Sequence, residues 1–140
     1  MPSHSQETGI NRIIDANINR AKEGLRVCEE VTRFMLNSRS LTAALKHIRH
    51  SLDIIFKGLA HKILLLNGRQ SLSDVGRHTC VIELKRKNIQ DIFFANMQRV
   101  KESIRVLEEF SKLKDARRAV EFKRIRYRIY ELEKKIAQRL

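Results

Sequence analysis

A stretch of nineteen residues occurs twice in this chain, and no other feature limits the possible fold as much. Ala16 to Phe34 reads ANINRAKEGLRVCEEVTRF, and Ala95 to Leu113 reads ANMQRVKESIRVLEEFSKL. Nine positions are identical at an offset of 79: Ala16/Ala95, Asn17/Asn96, Arg20/Arg99, Lys22/Lys101, Glu23/Glu102, Arg26/Arg105, Val27/Val106, Glu29/Glu108 and Glu30/Glu109. A second echo follows each copy: Lys46-x-Ile48-Arg49 matches Lys123-x-Ile125-Arg126 at an offset of 77. The simplest reading is one helical unit duplicated, because such a unit cannot bury its apolar face alone. Most of the repeated residues are charged, whereas packing alone would repeat apolar ones.

The apolar spacing predicts four helices. The first runs from about Ile10 to Leu36 and turns Ile14, Ile18, Ala21, Leu25, Cys28, Thr32 and Met35 to one side. Ser40 is the expected N-cap of the second, which carries Leu41, Leu45, Ile48, Leu52, Ile55, Leu59, Ile63 and Leu66 and stops at Asn67-Gly68. Asn88, with Asp91 in the first turn, caps a third helix running to about Leu113. Asp115 starts the fourth, with Phe122, Ile125, Ile129, Leu132 and Ile136 on one face. Helices of about 25 residues are roughly 38 Å long. The expected fold is therefore all-α: a four-helix bundle from two duplicated helical hairpins with pseudo-two-fold symmetry. Repeat one spans 10–66, a loop 67–87 and repeat two 88–140, all in one domain. The polar start, 1–9, reads as a flexible tail, and Cys80 to Leu84 as a short extended piece within the loop.

Composition narrows the class further. One Pro, five Gly and no Trp disfavour β folds, which need more turn residues. No apolar run reaches the roughly 18 residues of a membrane span, and no hydrophobic leader opens the chain, so a cytoplasmic location without membrane contact is expected. Cys28 and Cys80 are too few for a disulfide framework and lack metal-ligand spacing. His47 and His50 stand at i,i+3 with no carboxylate–histidine set around them. The phosphate-binding and dinucleotide-binding glycine loops, the zinc-protease helix and the nucleophile elbow are all missing from the sequence. Net charge is +13, with +5 in residues 1–70 and +8 in 71–140. Such a field attracts anions, whether nucleic acid, acidic membrane or phosphorylated small molecules.

The charged part of the repeat carries the chemistry. At about 100° per residue, Asn17 falls inside the apolar stripe, Arg20 on its edge, Glu23 further round and Arg26 beyond. Asn96, Arg99, Glu102 and Arg105 do the same in the second copy. Each copy thus has a polar wedge, Asn-x-x-Arg-x-x-Glu-x-x-Arg, running from core to surface. As plain helix surface it would hold Arg20–Glu23 and Arg26–Glu30 pairs, with Asn17 bonded to a loop or to Asn96. As a site it would be a polar cleft between helices, with Arg suited to bidentate contact with phosphate. Arg49 and Arg126 are positioned to add a further guanidinium, with Lys46 and Lys123 three residues before them. In the loop, Asp74-Val75-Gly76 is the feature best placed to reach a ligand. Gly76 permits close backbone approach, and the Asp74 carboxylate suits a hydrated Mg²⁺. Phe122, Tyr127 and Tyr130 read first as packing residues.

These stretches resemble a known family. The resemblance covers about residues 11 to 138. It rests on Arg12-Ile13-Ile14-Asp15-Ala16-Asn17, on Arg20-Ala21-x-Glu23-Gly24-Leu25-Arg26-Val27, on Leu45-Lys46-x-x-Arg49-His50, on Asp74-Val75-Gly76, on the run from Ala95 to Glu109, and on Arg126-Tyr127-x-x-Tyr130-x-Leu132-Glu133. The chain is similar there to the small helical hydroxymethylpyrimidine phosphate kinases of thiamine biosynthesis, a domain often fused ahead of thiamine phosphate synthase. Gln70 after Arg69 and Arg77 after Gly76 depart from the family's usual loop, and no synthase activity is carried over.

The resemblance implies phosphoryl transfer from ATP, with Mg²⁺, to 4-amino-5-hydroxymethyl-2-methylpyrimidine phosphate. Phosphoryl transfer is mainly positioning and charge neutralisation. Arg20, Glu23, Arg99, Glu102 and Asp74 are the expected catalytic residues. Asn17, Arg26, Arg49, Gly76, Asn96, Arg105 and Arg126 are expected to hold substrate or phosphate. Glu23, Glu102 and Asp74 are the candidates for Mg²⁺ or for a substrate hydroxyl proton. The implied partners are a phosphorylated small molecule and a nucleotide, with a functional partnership with thiamine phosphate synthase and a homo-oligomer both compatible. Two other classes compete. A nucleic-acid-binding helical protein would use Arg117, Arg118, Arg124, Arg128 and Lys135 of the last helix. A chorismate-mutase-like helical enzyme would use paired arginines on a carboxylated metabolite.

Overall fold

The computed structural model describes residues 2–59 and 62–140. It is all-helical, with five α-helices and no strand among the described residues. They are α1 (His4–Glu30), α2 (Arg39–Lys57), α3 (Lys62–Gly68), α4 (Ile89–Ser111) and α5 (Ala116–Ala137). A π turn, Val31–Met35, extends α1, and two 3₁₀ turns, Ser71–Ser73 and Val81–Leu84, punctuate the chain between α3 and α4. The most extensive contact is between α1 and α4; α1 also packs on α2 and α3, α4 on α5, and α2 on α5.

The helix seams follow the periodicity. Ile14, Ile18, Ala21, Leu25 and Cys28 of α1 meet Leu45, Ile48 and Leu52 of α2, Phe93, Met97, Ile104 and Leu107 of α4, and Phe122, Ile129 and Ile136 of α5 in one buried core. Asn88 caps α4, accepting from Asp91 N at 2.8 Å, and Asp115 caps α5, accepting from Arg117 N at 3.0 Å. Gly24 lets α1 and α4 approach closely. A Cβ there would lie 2.7 Å from a Val100 methyl and 3.0 Å from the Asn96 carbonyl oxygen.

Several boundaries differ from expectation. Residues 4–9 are helical rather than a flexible tail. Ser3 forms a capping box, accepting from Gln6 N at 3.3 Å while the Gln6 side chain accepts from Ser3 N at 3.0 Å. Ser38, not Ser40, caps α2, because its Oγ reaches Leu41 N at 3.3 Å. Met35 is exposed, since the π turn rotates it off the stripe. The turn is held where Thr32 Oγ1 donates to Glu29 O and meets Thr42 Oγ1 at 2.9 Å. The second expected helix ends at Lys57, with Gly58 as its C-cap, rather than running to Leu66. Glycine weakens a helix interior, and a Cβ at Gly58 would meet the Arg118 guanidinium. The expected core position Ile63 lies outside the described side chains; Leu65 is buried and Leu66 partly exposed. Val81–Leu84 is a 3₁₀ turn, not an extended piece.

Candidate functional site

The repeated charges divide into those that tie helices together and those that line a hollow. Glu29 is buried, and Arg49 of α2 donates to it from Nε at 2.7 Å and Nη2 at 3.1 Å. Glu108 is buried likewise, and Arg126 of α5 donates to it from Nε at 2.8 Å and Nη2 at 3.3 Å. Both guanidiniums are held above their ordinary pKa, chiefly by these hydrogen bonds, so their charge is permanent. Lys22 pairs with Asp53 at 2.6 Å and Lys101 with Glu133 at 2.9 Å, which ties α1 to α2 and α4 to α5. Asn17 and Asn96 each donate to their own helix, to Ile13 O and Ile92 O, both at 2.8 Å, not to a loop or to each other. A side chain at i and a carbonyl at i−4 lie on one helical face, which explains the identical geometry.

A hollow of about 560 Å³ opens on the outer side of α1, between that helix and the segment after α3. Arg12, Asp15, Asn17, Asn19, Arg20 and Glu23 of α1 line it with Arg69, Gln70, Ser71 and Asp74. An adjoining hollow of about 370 Å³ is lined by Asn19, Lys22, Glu23, Arg26 and Arg49. Asn17, Arg20, Glu23 and Asp74 thus line the first hollow and Arg26 and Arg49 the second, with Glu23 in both. Among the described residues Arg12, Arg20 and Glu23 form no ion pair, so the expected Arg20–Glu23 pair is not made. Arg26 does lie beside Glu30, at 3.7 Å. Asp74 accepts from Gly76 N at 2.8 Å, and Gly76 itself does not line the hollow.

The second copy is arranged differently. Asn96, Arg99, Glu102, Arg105 and Arg126 line neither of these hollows. Arg105 pairs with Glu108 at 3.2 Å and Glu109 at 3.3 Å, and Glu102 accepts from Gln98 at 3.0 Å. Phe122 is buried, but Tyr127 and Tyr130 are exposed on α5, 5.8 Å apart and edge to face, and do not pack in the core. The Arg126 guanidinium lies over both rings, at 5.3 and 5.9 Å. Of the basic residues of α5, Arg117 and Arg118 are paired with Asp115, and Arg118 also with Glu121.

Sequence reasoning passed over the residue that closes the hollow. Asp15 is buried, and Arg69 donates to it from Nε at 2.8 Å and Nη2 at 2.7 Å, across 54 residues. Asn19 braces the same carboxylate at 3.2 Å and the Asp15 carbonyl at 2.9 Å. The available signal was a carboxylate next to an apolar stripe, at a position where the second copy has Phe94. Glu29 and Glu108 carried the stronger signal of identity in both copies.

For cation chemistry, Glu23 and Asp74 face one hollow, whereas Glu102 lies outside it. No group of three or more His, Cys, Asp or Glu side chains gathers among the described residues. Two carboxylates suit Mg²⁺, which keeps several waters and shares phosphate oxygens, better than a metal that requires a full protein cage. Of the two thiols, Cys28 is buried, which pushes its pKa up to about 12, and Cys80 is exposed. No described helix is long and apolar enough to cross a membrane.

With this geometry in hand, the comparisons with known proteins are specific. The model of the ThiD2 family matches residues 12–135. A thiamine-phosphate synthase of a Synechocystis species is 41% identical over 139 residues, covering 95% of this chain and 39% of that protein. A thiamine-phosphate synthase of Rhodopirellula baltica is 36% identical over 140 residues, covering 96% of this chain and 37% of that protein. One from a Nostoc species is 38% identical over 125 residues, covering 89% and 34%. The chain thus spans 34 to 39% of the length of these relatives. No solved structure matches it.

Proposed function

This chain belongs to the ThiD2 family, and from that premise we propose that it acts in thiamine biosynthesis as a kinase. The reaction is transfer of the γ-phosphoryl group of ATP to 4-amino-5-hydroxymethyl-2-methylpyrimidine phosphate, giving the diphosphate and ADP. The observation that carries this reading is the hollow on α1, where Arg12 and Arg20, without ion-pair partners among the described residues, line the same cavity as the Glu23 and Asp74 carboxylates. Its volume of about 560 Å³ lies within the range of small-molecule sites.

In this reading the guanidiniums hold the monophosphate of the acceptor and reduce repulsion between two anions as they approach. The attacking atom is an oxygen of that phosphate, whose second pKa is near 6, so it is already ionised near neutral pH. No hydroxyl proton has to be removed, so Glu23 and Asp74 serve as Mg²⁺ ligands rather than bases. Glu23 and Asp74 would hold Mg²⁺ in this hollow, where it would supply charge neutralisation during phosphoryl transfer. Asn17 offers a side-chain amide to the aminopyrimidine edge. Arg26 and Arg49 line the adjoining hollow but are paired with Glu30 and Glu29, so Arg12 and Arg20 carry the positive field.

The finer architecture proposed with this reading is a four-helix bundle of two duplicated hairpins, with the hollow on α1 of the first. Association with thiamine-phosphate synthase is proposed from the relatives, which carry the matching stretch within a longer chain of that name. The test is direct. Purified protein is incubated with ATP, Mg²⁺ and the phosphorylated pyrimidine, and ADP and diphosphate are measured against a control with unphosphorylated pyrimidine. Diphosphate from the phosphorylated substrate alone is expected. No ADP above background would sink the reading.

A further inference from the structure

The two copies share nine identities but differ at the position that governs access to their polar wedges. In the first copy, buried Asp15 takes both donors of Arg69, with Asn19 behind it. Arg69 is the first residue after α3, and the chain from Arg69 to Asp74 forms the wall of the hollow opposite α1. In the second copy Asp15 is replaced by Phe94, a partly exposed ring that can hold no guanidinium in this way. The wall itself has little else to hold it. Leu72, Val75, Val81, Ile82 and Leu84 are each at least 73% exposed, so apolar packing does not anchor the segment.

We propose that the Asp15–Arg69 pair is a positioning clasp that builds the acceptor cavity on the first repeat alone, so that each chain takes the phosphorylated acceptor once, on α1. The pair is suited to this role. A bidentate contact fixes angle as well as distance, and a buried carboxylate loses much if its partner leaves. Fastening Arg69 sets where Asp74 sits relative to Arg12, Arg20 and Glu23, all of which line the same hollow. Asp15 and Arg69 are positioning residues and touch no reacting atom. The identity of the ligand as a phosphorylated pyrimidine rests on the kinase reading, whereas the clasp does not.

The test uses Asp15→Asn/Arg69→Gln, which removes both charges and leaves none buried unpaired, and Arg69→Lys, which keeps the charge but loses the fork. Trypsin cleavage after Arg77 and after Lys85, Arg86 or Lys87 reports how firmly the wall is held. The double variant is expected to be cut about tenfold faster than the natural chain, and Arg69→Lys at an intermediate rate. The KM for the phosphorylated pyrimidine should rise about tenfold in the double variant, with a smaller change in kcat, and Arg69→Lys should recover part of it. Calorimetry should give one equivalent of phosphorylated pyrimidine per natural chain. Unchanged cleavage and unchanged KM in the double variant would overturn the proposal, as would two equivalents bound per chain. If the double variant does not fold by circular dichroism, Arg69→Lys decides alone. If the natural chain shows no phosphotransfer, the kinase reading fails by itself. Cleavage rates, and the loss of inorganic phosphate binding in the variants by equilibrium dialysis, then still judge the clasp.

Discussion

At the scale of single residues, burial decides which charges are structural. Glu29 and Glu108 are each buried under an arginine that arrives from another helix. Removing the carboxylate leaves a largely buried guanidinium without its counter-ion. Glu29→Ala and Glu108→Ala should each lower stability by about 3 kcal/mol, the ordinary effect of breaking a buried pair, measured by urea unfolding. The loss is expected to be somewhat larger at Glu108, which also takes Arg105 at 3.2 Å. Burial also separates the thiols. Cys28, at a pKa pushed up to about 12, stays protonated and unreactive at neutral pH, while Cys80 is exposed. A colorimetric thiol reagent should therefore titrate one thiol per folded chain and two in denaturant.

At the scale of elements, close approach and capping set the helix positions. The α1–α4 seam depends on Gly24, where an added methyl would meet Val100 and the Asn96 carbonyl. Gly24→Ala should destabilise the protein by roughly 1–3 kcal/mol despite the better helix propensity of alanine, because overpacking outweighs propensity here. A rise in melting temperature would contradict this. Ser38 caps α2, and Ser38→Ala should cost about 1 kcal/mol in thermal unfolding, whereas Ser40→Ala should cost much less. The periodicity alone pointed to Ser40. A cap is chosen by backbone geometry at the end of the preceding turn, and here the π turn and the left-handed Asn37, at φ 49°, bring Ser38 into that position.

For the whole molecule, the two matching stretches, on α1 and α4, have unlike surroundings. Arg20 lines the hollow on α1, and Arg99, its counterpart, does not. Arg20→Ala should lower kcat/KM for the phosphorylated pyrimidine by about 100-fold, as loss of one donor to a developing anionic centre does, and Arg99→Ala by clearly less. Equal losses would mean that both copies act on the substrate and that the hollow on α1 is not the working site. The net charge of +13 also has a consequence at this scale. Capture of the anionic substrate should weaken with added salt, seen as a KM that rises between low and physiological ionic strength.

The amino-acid order by itself determined the helical class, the faces of α1, α2, α4 and α5 that turn inward, and the caps at Asn88 and Asp115. All of these depend on spacings of three or four residues, which a helix repeats faithfully wherever it sits. The wedge of Asn17, Arg20, Glu23 and Arg26 was legible for the same reason. What only the tertiary structure decided is which charges face each other. Arg49 looked free to bind phosphate until Glu29, twenty positions away, was found beneath it, and Asp15 looked unremarkable until Arg69 reached it across 54. An ion pair gains or loses according to how much water both groups give up. That depends on how separate helices pack, which no local pattern of residues encodes.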